Sequence, residues 1–346
     1  MIYFNNDYAE GCHPTVLKRL METNMVQTPG YGTDAYCVKA ADKIRQCCGR
    51  DDLAVHFLVG GTQANLTVID AALRPHQGVL CAASGHIHVH ETGAVEATGH
   101  KVLALDSDDG KITDSQIRDA VLNHRADDAF EHTVQPKLVY ISNPSELGTL
   151  YTLAELRAIS ETCHQLGLYL FLDGARLGYG LTAAGNDVTM EDLARLCDVF
   201  YIGGTKVGAL FGEAVVISNP VLAEDFRYLI KQHGGMLAKG RLLGVQFDAL
   251  FTDDLYFRIA RHANSLADRI RDTLNALGYQ LLIPGTTNQI FPILPDALLD
   301  ELSKEFSFTE QQRVDETHRA VRFCTSWATT EENVMKLCEA LKTFSK

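Results

Sequence analysis

The chain has 346 residues, 46% of them hydrophobic and 22% charged, with 31 Lys and Arg against 44 Asp and Glu for a formal net charge of −13. That length allows two domains, or one large α/β domain with a smaller appendage, and the composition sets aside disordered, fibrous and collagen-like chains. The acidic balance repels a polyphosphate at long range, so nucleic acid is not an expected partner, although a local basic pocket can still hold one phosphate.

The opening MIYFNNDYAEGCHP lacks a basic n-region and meets Asn5, Asn6 and Asp7 before an apolar run can form, so neither a signal peptide nor a membrane anchor is expected there. The nine cysteines are odd in number and never spaced C-x-x-C, which reads as reduced thiols and a cytoplasmic protein. Further along, short apolar runs predict strands at Leu53–Val59, Val79–Ala83, Val102–Leu105, Leu138–Ser142, Leu168–Leu172, Val199–Ile202 and Ala214–Ile217. Helical patterns alternate with them, the signature of βαβ units and a mostly parallel sheet covered on both faces. The best-marked helix starts at the capping box Thr152-x-x-Glu155, keeps helical spacing through Leu153, Leu156, Ile159, Cys163 and Leu166, and stops at Gly167. Asp106–Gly110 reads as a solvated loop.

After about Leu243 the pattern changes to a long amphipathic helix (Tyr256 to Leu277), short strands near Leu281–Ile283 and Ile290–Ile293, and a terminal helix after Thr329-x-x-Glu332. This predicts a smaller α+β domain. The expected division is an N-terminal segment, 1–25, packing on both domains, a large domain over 26–243 and a small C-terminal domain over 244–346.

Four features carry possible chemistry. Gly60-Gly61-Thr62-Gln63-Ala64-Asn65 follows an apolar strand and opens a helix, where bare N–H groups favour an anion; the plain alternative is a glycine turn. Asp173 ends the strand LYLFLD, where ligands of open α/β sheets bind, although Asp before Gly-Ala also caps helices. Lys206, in YIGGTKVGALFG, sits among glycine and apolar residues, where an amine can lose its proton and attack an aldehyde; the alternative is a lysine reaching out from a loop. His86, His88 and His90, with Glu91, share a face on a strand and could ligate a metal, whereas on a helix only His86 and His90 are neighbours; with no zinc-protease spacing, no metal site is assigned.

A phosphate-holding turn, a strand-end carboxylate and a glycine-flanked lysine, in that order on an α/β sheet, supply the contacts for the phosphate, ring nitrogen and aldehyde of pyridoxal phosphate. Here the chain resembles, end to end, the low-specificity L-threonine aldolases and related β-eliminating lyases, of the fold-type-I group of pyridoxal-phosphate enzymes. The motifs are Asn6-Asp7, Tyr31-Gly32-Thr33-Asp34, Gly-Thr-Gln-Ala-Asn at 61–65, His86 five residues before Glu91, Asp173-Gly174-Ala175-Arg176, Thr205-Lys206 and Arg322 in RAVRFCTSW.

The resemblance implies an α/β fold with a mostly parallel central sheet in the large domain, and a pyridoxal-phosphate-dependent carbon–carbon lyase that cleaves a β-hydroxy-α-amino acid to glycine and an aldehyde. It implies that Lys206 forms the Schiff base, Asp173 pairs with the pyridine nitrogen, Gly61 and Thr62 bind phosphate beside Thr205, Arg176 also binds the cofactor, and His86 stacks on the ring. Asn6, Arg176 and Arg322 are then expected to hold the substrate carboxylate, and Tyr31 to reach the site of a neighbouring subunit in a homodimer or homotetramer. His86 is the expected base or the group orienting a water for it.

The chain departs from the family pattern where His86-Ile-His-Val-His-Glu91 brings two extra imidazoles, where Thr205-Lys206-Val207 stands for the usual Ser-Lys-Gly, where Asn6 stands for a common serine, and where Leu237 falls at the place of a phosphate-binding arginine, with Lys239 and Arg241 close by. β-Elimination or racemisation of another amino acid would use the same Lys206 and Asp173, and a metal-dependent hydrolase would use His86, His88, His90 and Asp173.

Overall fold

The computed structural model describes residues 1–344. Every strand expected in the large domain forms, with ends shifted by a few residues. These are β1 (Ala54–Leu58), β2 (Gln77–Ala82), β3 (Lys101–Leu105), β4 (Gln135–Ser142), β5 (Tyr169–Asp173), β6 (Val199–Gly203) and β7 (Glu213–Ile217). They build one seven-stranded sheet in the order β1-β7-β6-β5-β4-β2-β3. Its pairings are parallel except for β7, which runs antiparallel to both β1 and β6. β2, β6 and β7 are buried along their whole length, as strands covered on both faces must be, which is why they read as unbroken apolar runs rather than alternating ones. Two apolar clusters cover the faces, one around Leu172, Phe200 and Val216 and the other around Phe171, Tyr201 and Val215.

The topology gathers the chemistry on one edge. β1, β2, β4, β5 and β6 point the same way, so the residues after each of their C-terminal ends emerge together. β2 leads outward to β3 while β4 returns on the other side of β2, and a crevice at such a reversal is where ligands of open α/β sheets bind. The end of β5 crosses so close to β6 that a Cβ on Gly174 would lie 2.0 Å from the carbonyl oxygen of Tyr201, which accounts for the glycine after Asp173.

The smaller C-terminal unit has an antiparallel sheet in which His318–Cys324 pairs with Ile293–Pro295, Thr309–Arg313 and Gln289–Ile290. Several expectations are corrected here. The strand expected at Leu281–Ile283 is reduced to one bridge between Leu281 and Pro292, and the expected Ile290–Ile293 run is split into Gln289–Ile290 and Ile293–Pro295. The terminal helix, Glu331–Phe344, is capped by Thr330, whose hydroxyl accepts the Asn333 N–H, while Thr329 is spent accepting the Ser326 N–H.

The helix Leu255–Ala276 joins the two units: Leu255, Tyr256, Ile259, Ala260 and Ala263 pack into the large core, and Leu266, Ala267, Ile270 and Leu274 into the core of the small unit. The N-terminal segment does the same from the other end of the chain. Phe4 is fully buried in the small core, Ile2–Tyr3 pairs in parallel with Phe306–Ser307, and Val16 is buried in the large core.

Candidate active site

Asp173, at the end of β5, is buried and surrounded by donors. The Tyr140 hydroxyl donates to its Oδ2 and the Tyr201 hydroxyl to its Oδ1, each at 2.6 Å; Asn65 Nδ2 donates to Oδ2 at 3.2 Å and the Ala175 N–H to Oδ1 at 2.9 Å. Four donors converging on one buried carboxylate fix its orientation toward the crevice, where it can meet a pyridine nitrogen. Burial and the nearby carboxylate raise both phenol pKa values, so the phenols remain donors at neutral pH. The helix Gly61–Ala72 starts beside this group with no side-chain cap, leaving first-turn N–H groups for a ligand, and a Cβ on Gly61 would lie 3.1 Å from the Tyr201 hydroxyl.

Lys206 follows β6. Among the described residues no hydrogen bond or ion pair ties its Nζ, and burial together with the Arg176 charge lowers its pKa, the charges of Asp7, Asp173 and Glu213 opposing. An amine so held is available as a nucleophile. Beneath the loop, Glu213 of β7 accepts the Gly204 N–H at 2.9 Å and the Thr205 hydroxyl, and burial lifts its pKa to about 7. Thr205 Oγ also accepts the Gly212 N–H at 3.0 Å, so its hydroxyl is engaged within the loop.

His86 opens the one-turn helix His86–Val89. Its backbone N–H donates to Glu146 Oε1 at 2.8 Å, and its Nδ1 lies 2.7 Å from Glu91 Oε1, which also accepts Asn65 Nδ2 at 2.7 Å. Asn65 therefore bridges Glu91 and Asp173. The helical period separates His88 from His86 and His90, and among the described residues no group of three or more His, Cys, Asp or Glu is placed to hold a metal ion.

Arg322 and Arg176 are arranged differently from each other. Arg322 Nη1 reaches Gln289 Oε1 at 3.2 Å and Nη2 the Asn5 carbonyl at 2.9 Å, while its Nε, Gln289 Nε2 and Asn5 Oδ1 are buried with no hydrogen-bond partner. Buried donors without partners are costly, and a ligand carboxylate would satisfy them. Arg176 is gripped by Asp7, Nε to Oδ2 at 2.7 Å and Nη2 to Oδ1 at 3.0 Å, and Asn288 Nδ2 donates to the same carboxylate at 2.9 Å. Although burial opposes it, the Arg176 charge holds the Asp7 carboxyl below its ordinary range. Asn6, beside this pair, caps the Tyr8 N–H with its side-chain oxygen.

Tyr31 stands apart. It is exposed, has a left-handed backbone (φ 62°), and lines a separate cavity of about 200 Å³ with Cys37, Arg227 and Met236. Its backbone is clamped by Ala238 and Arg227, and Lys231 Nζ lies 5.0 Å from its ring centre. A strained aromatic residue held in place on a surface indicates a built feature.

Sequence reasoning missed Tyr140, Tyr201, Glu146, Glu213 and Asn288. Tyr140 and Ser142 share one face of β4, with Ser142 level with Asp173, and this period of two was the available signal; nothing local marked the others.

Comparison with known proteins gives the chain a family. The family model described as β-eliminating lyase matches residues 10–296. The low specificity L-threonine aldolase of Pseudomonas aeruginosa is 32% identical over 346 residues, covering 98% of this chain and 96% of that protein. The low specificity L-threonine aldolase of Saccharomyces cerevisiae is 26% identical, covering 85% and 76%. Among solved structures, the Leishmania major threonine aldolase superposes with a TM-score of 0.98 at 46% identity over the whole of both chains. A Listeria monocytogenes putative L-allo-threonine aldolase, 19% identical with a TM-score of 0.77 over 99% and 96% of the chains, shares the fold.

Proposed function

The chain belongs to the β-eliminating lyase family, and on that premise we propose that it cleaves L-threonine, L-allo-threonine or a related β-hydroxy-α-amino acid to glycine and an aldehyde. It is a pyridoxal-phosphate-dependent carbon–carbon lyase of fold type I. The observation that carries this reading is the placement, on one sheet edge, of the four-donor Asp173, the untied Lys206 amine and the uncapped helix at Gly61. Those residues fit the ring nitrogen, aldehyde and phosphate of the cofactor.

Bound pyridoxal phosphate supplies an electron sink for the pair released when a bond at the substrate's Cα breaks. In the proposed site Lys206 would hold the cofactor through its aldehyde, its buried amine being the available nucleophile. Asp173, aimed by Tyr140 and Tyr201, keeps a proton on the pyridine nitrogen. The N–H groups at Gly61 and Thr62 would bind the phosphate, Thr205 would shape the loop beside it through its bonds to Glu213 and Gly212, and His86 would stack on the ring. The substrate carboxylate is gripped by Arg322 through its unsatisfied Nε, with Asn6 nearby and Arg176 contributing Nη1, the nitrogen that Asp7 leaves over.

The proposed division is a cofactor domain over 26–243, a small domain over 244–346 and a bridging segment over 1–25; the burial of Phe4 and Val16 in different cores supports the last. The proposed working unit is a homodimer, or a homotetramer of such dimers, with sites at the dimer interface. The exposed, conformationally strained Tyr31 supports a role in a neighbouring copy's site. The proposed location is the cytoplasm; no helix among the described residues is long and apolar enough to cross a membrane.

Product analysis tests the reaction. Incubation of the holoenzyme with L-threonine or L-allo-threonine is expected to release equimolar glycine and acetaldehyde. Elimination products, a 2-oxo acid and ammonia, in their place would overturn the aldol assignment and favour a β-eliminating lyase on the same scaffold.

A further inference from the structure

A second imidazole, at position 90, stands beside His86. His86 and His90 are one helical turn apart on the same side of the helix His86–Val89, their ring centroids 5.7 Å apart and their planes tilted by 56°. Ile87 is buried against the core and His88 points away to solvent, so these two rings form the imidazole pair at the edge of the crevice.

Their circumstances are opposite. His86 is pinned at both ends, by its N–H on Glu146 and its Nδ1 on Glu91. Although burial pulls the other way, the Glu91 hydrogen bond and the charges of Asp173 and Glu91 raise its pKa. With Nδ1 spent on Glu91 and the backbone N–H on Glu146, His86 is fixed in place and suited to orient a substrate hydroxyl. His90 makes no ring hydrogen bond among the described residues, is exposed at the mouth, and has its pKa lowered by partial burial and by the nearby charges of His86 and Arg322. Both of its ring nitrogens are free to meet a ligand, and the ring stands beside the group placed over the cofactor ring and within the field of the arginine placed on the substrate carboxylate.

We propose that His90 is the base that takes the proton of the substrate's β-hydroxyl, while His86, fixed by Glu91, orients that hydroxyl. The inference rests on the aldolase reading above. In the step, the β-oxygen's O–H bond breaks toward a His90 ring nitrogen and its electron pair becomes the π bond of the aldehyde. The Cα–Cβ bond breaks, and its pair is left at Cα with the bound cofactor as sink. One proton is then delivered to Cα to give glycine, so no oxidant or further reactant is needed.

Two reactions of the holoenzyme separate this role from a structural one. Exchange of the α-proton of glycine in deuterium oxide requires the cofactor, Lys206 and the carboxylate contacts but no β-hydroxyl, whereas L-threonine cleavage requires all of them and the base. His90→Gln is expected to exchange glycine within about threefold of the wild type and to cleave L-threonine ~10²-fold or more slowly, the usual worth of a general base. In His90→Ala, added free imidazole is expected to restore part of the cleavage. Cleavage by His90→Gln within about threefold of the wild type would overturn the role, as would exchange and cleavage falling together. A wild-type enzyme that exchanges glycine but leaves β-hydroxy amino acids uncleaved would overturn the aldolase reading itself, and this role with it.

Discussion

At the scale of single residues, what separates the candidate site from the rest of the surface is unspent bonding capacity. Asp7 and Arg176 satisfy each other, while Arg322 keeps a buried Nε without a partner beside an equally unpartnered Gln289 Nε2. On this account Arg322→Ala raises KM for the amino acid by ~10–100-fold, the worth of about 1.5–3 kcal/mol for a charge-assisted contact, and leaves kcat within a few-fold. Steady-state kinetics with L-threonine checks it, and an unchanged KM would remove Arg322 from the carboxylate site. Lys206 and Asp173 were legible in the sequence because each follows a conspicuous apolar strand. Tyr140 and Tyr201 were not, because a buried tyrosine on a core strand reads as packing until the carboxylate it faces is known.

At the scale of elements, strand period and helix period decided what could be foreseen. The large-domain strands were legible because each is a short β-branched or aromatic run. Thr309–Arg313 (TEQQR) was not, since an edge strand this exposed and polar carries no apolar alternation. The histidine cluster was ambiguous until its period was known, and a single helical turn resolves it into the pair His86 and His90. The antiparallel strand β7 adds a further device: it places Glu213 under the loop that carries Lys206, with a pKa of about 7 against an ordinary 4.5. Between about pH 4.5 and 7 the folded protein keeps a proton there that the unfolded chain has lost, so stability falls as pH rises across that window and stays lower above it. Replacing the acid by a neutral isostere, Glu213→Gln, is expected to remove a pH-dependent loss of about 3 kcal/mol. Denaturant unfolding of the cofactor-free protein at pH 5 and pH 8 tests this. The variant should gain on the wild type at pH 8 relative to pH 5, and a constant difference would contradict it.

At the scale of the whole molecule, the site exists because distant parts of the chain return to one place. Asp7 from the N-terminal segment, Arg176 after β5 and Asn288 from the small unit share one hydrogen-bonded cluster, and Asn5 meets Arg322. Removing Asp7 leaves the Arg176 cation buried and unpaired, so Asp7→Ala is expected to cost about 3–5 kcal/mol of stability, read as a fall in the unfolding midpoint. A variant as stable as the wild type would mean that the N-terminal segment is held by its apolar contacts alone. The most direct test of the central claim is the absorbance spectrum of the purified protein with pyridoxal phosphate, followed by borohydride reduction and peptide mass analysis. The account predicts a visible band, absent from Lys206→Ala and lost on reduction, and a phosphopyridoxyl group on the peptide that contains Lys206. No band, or a reduced adduct confined to another lysine, would contradict it.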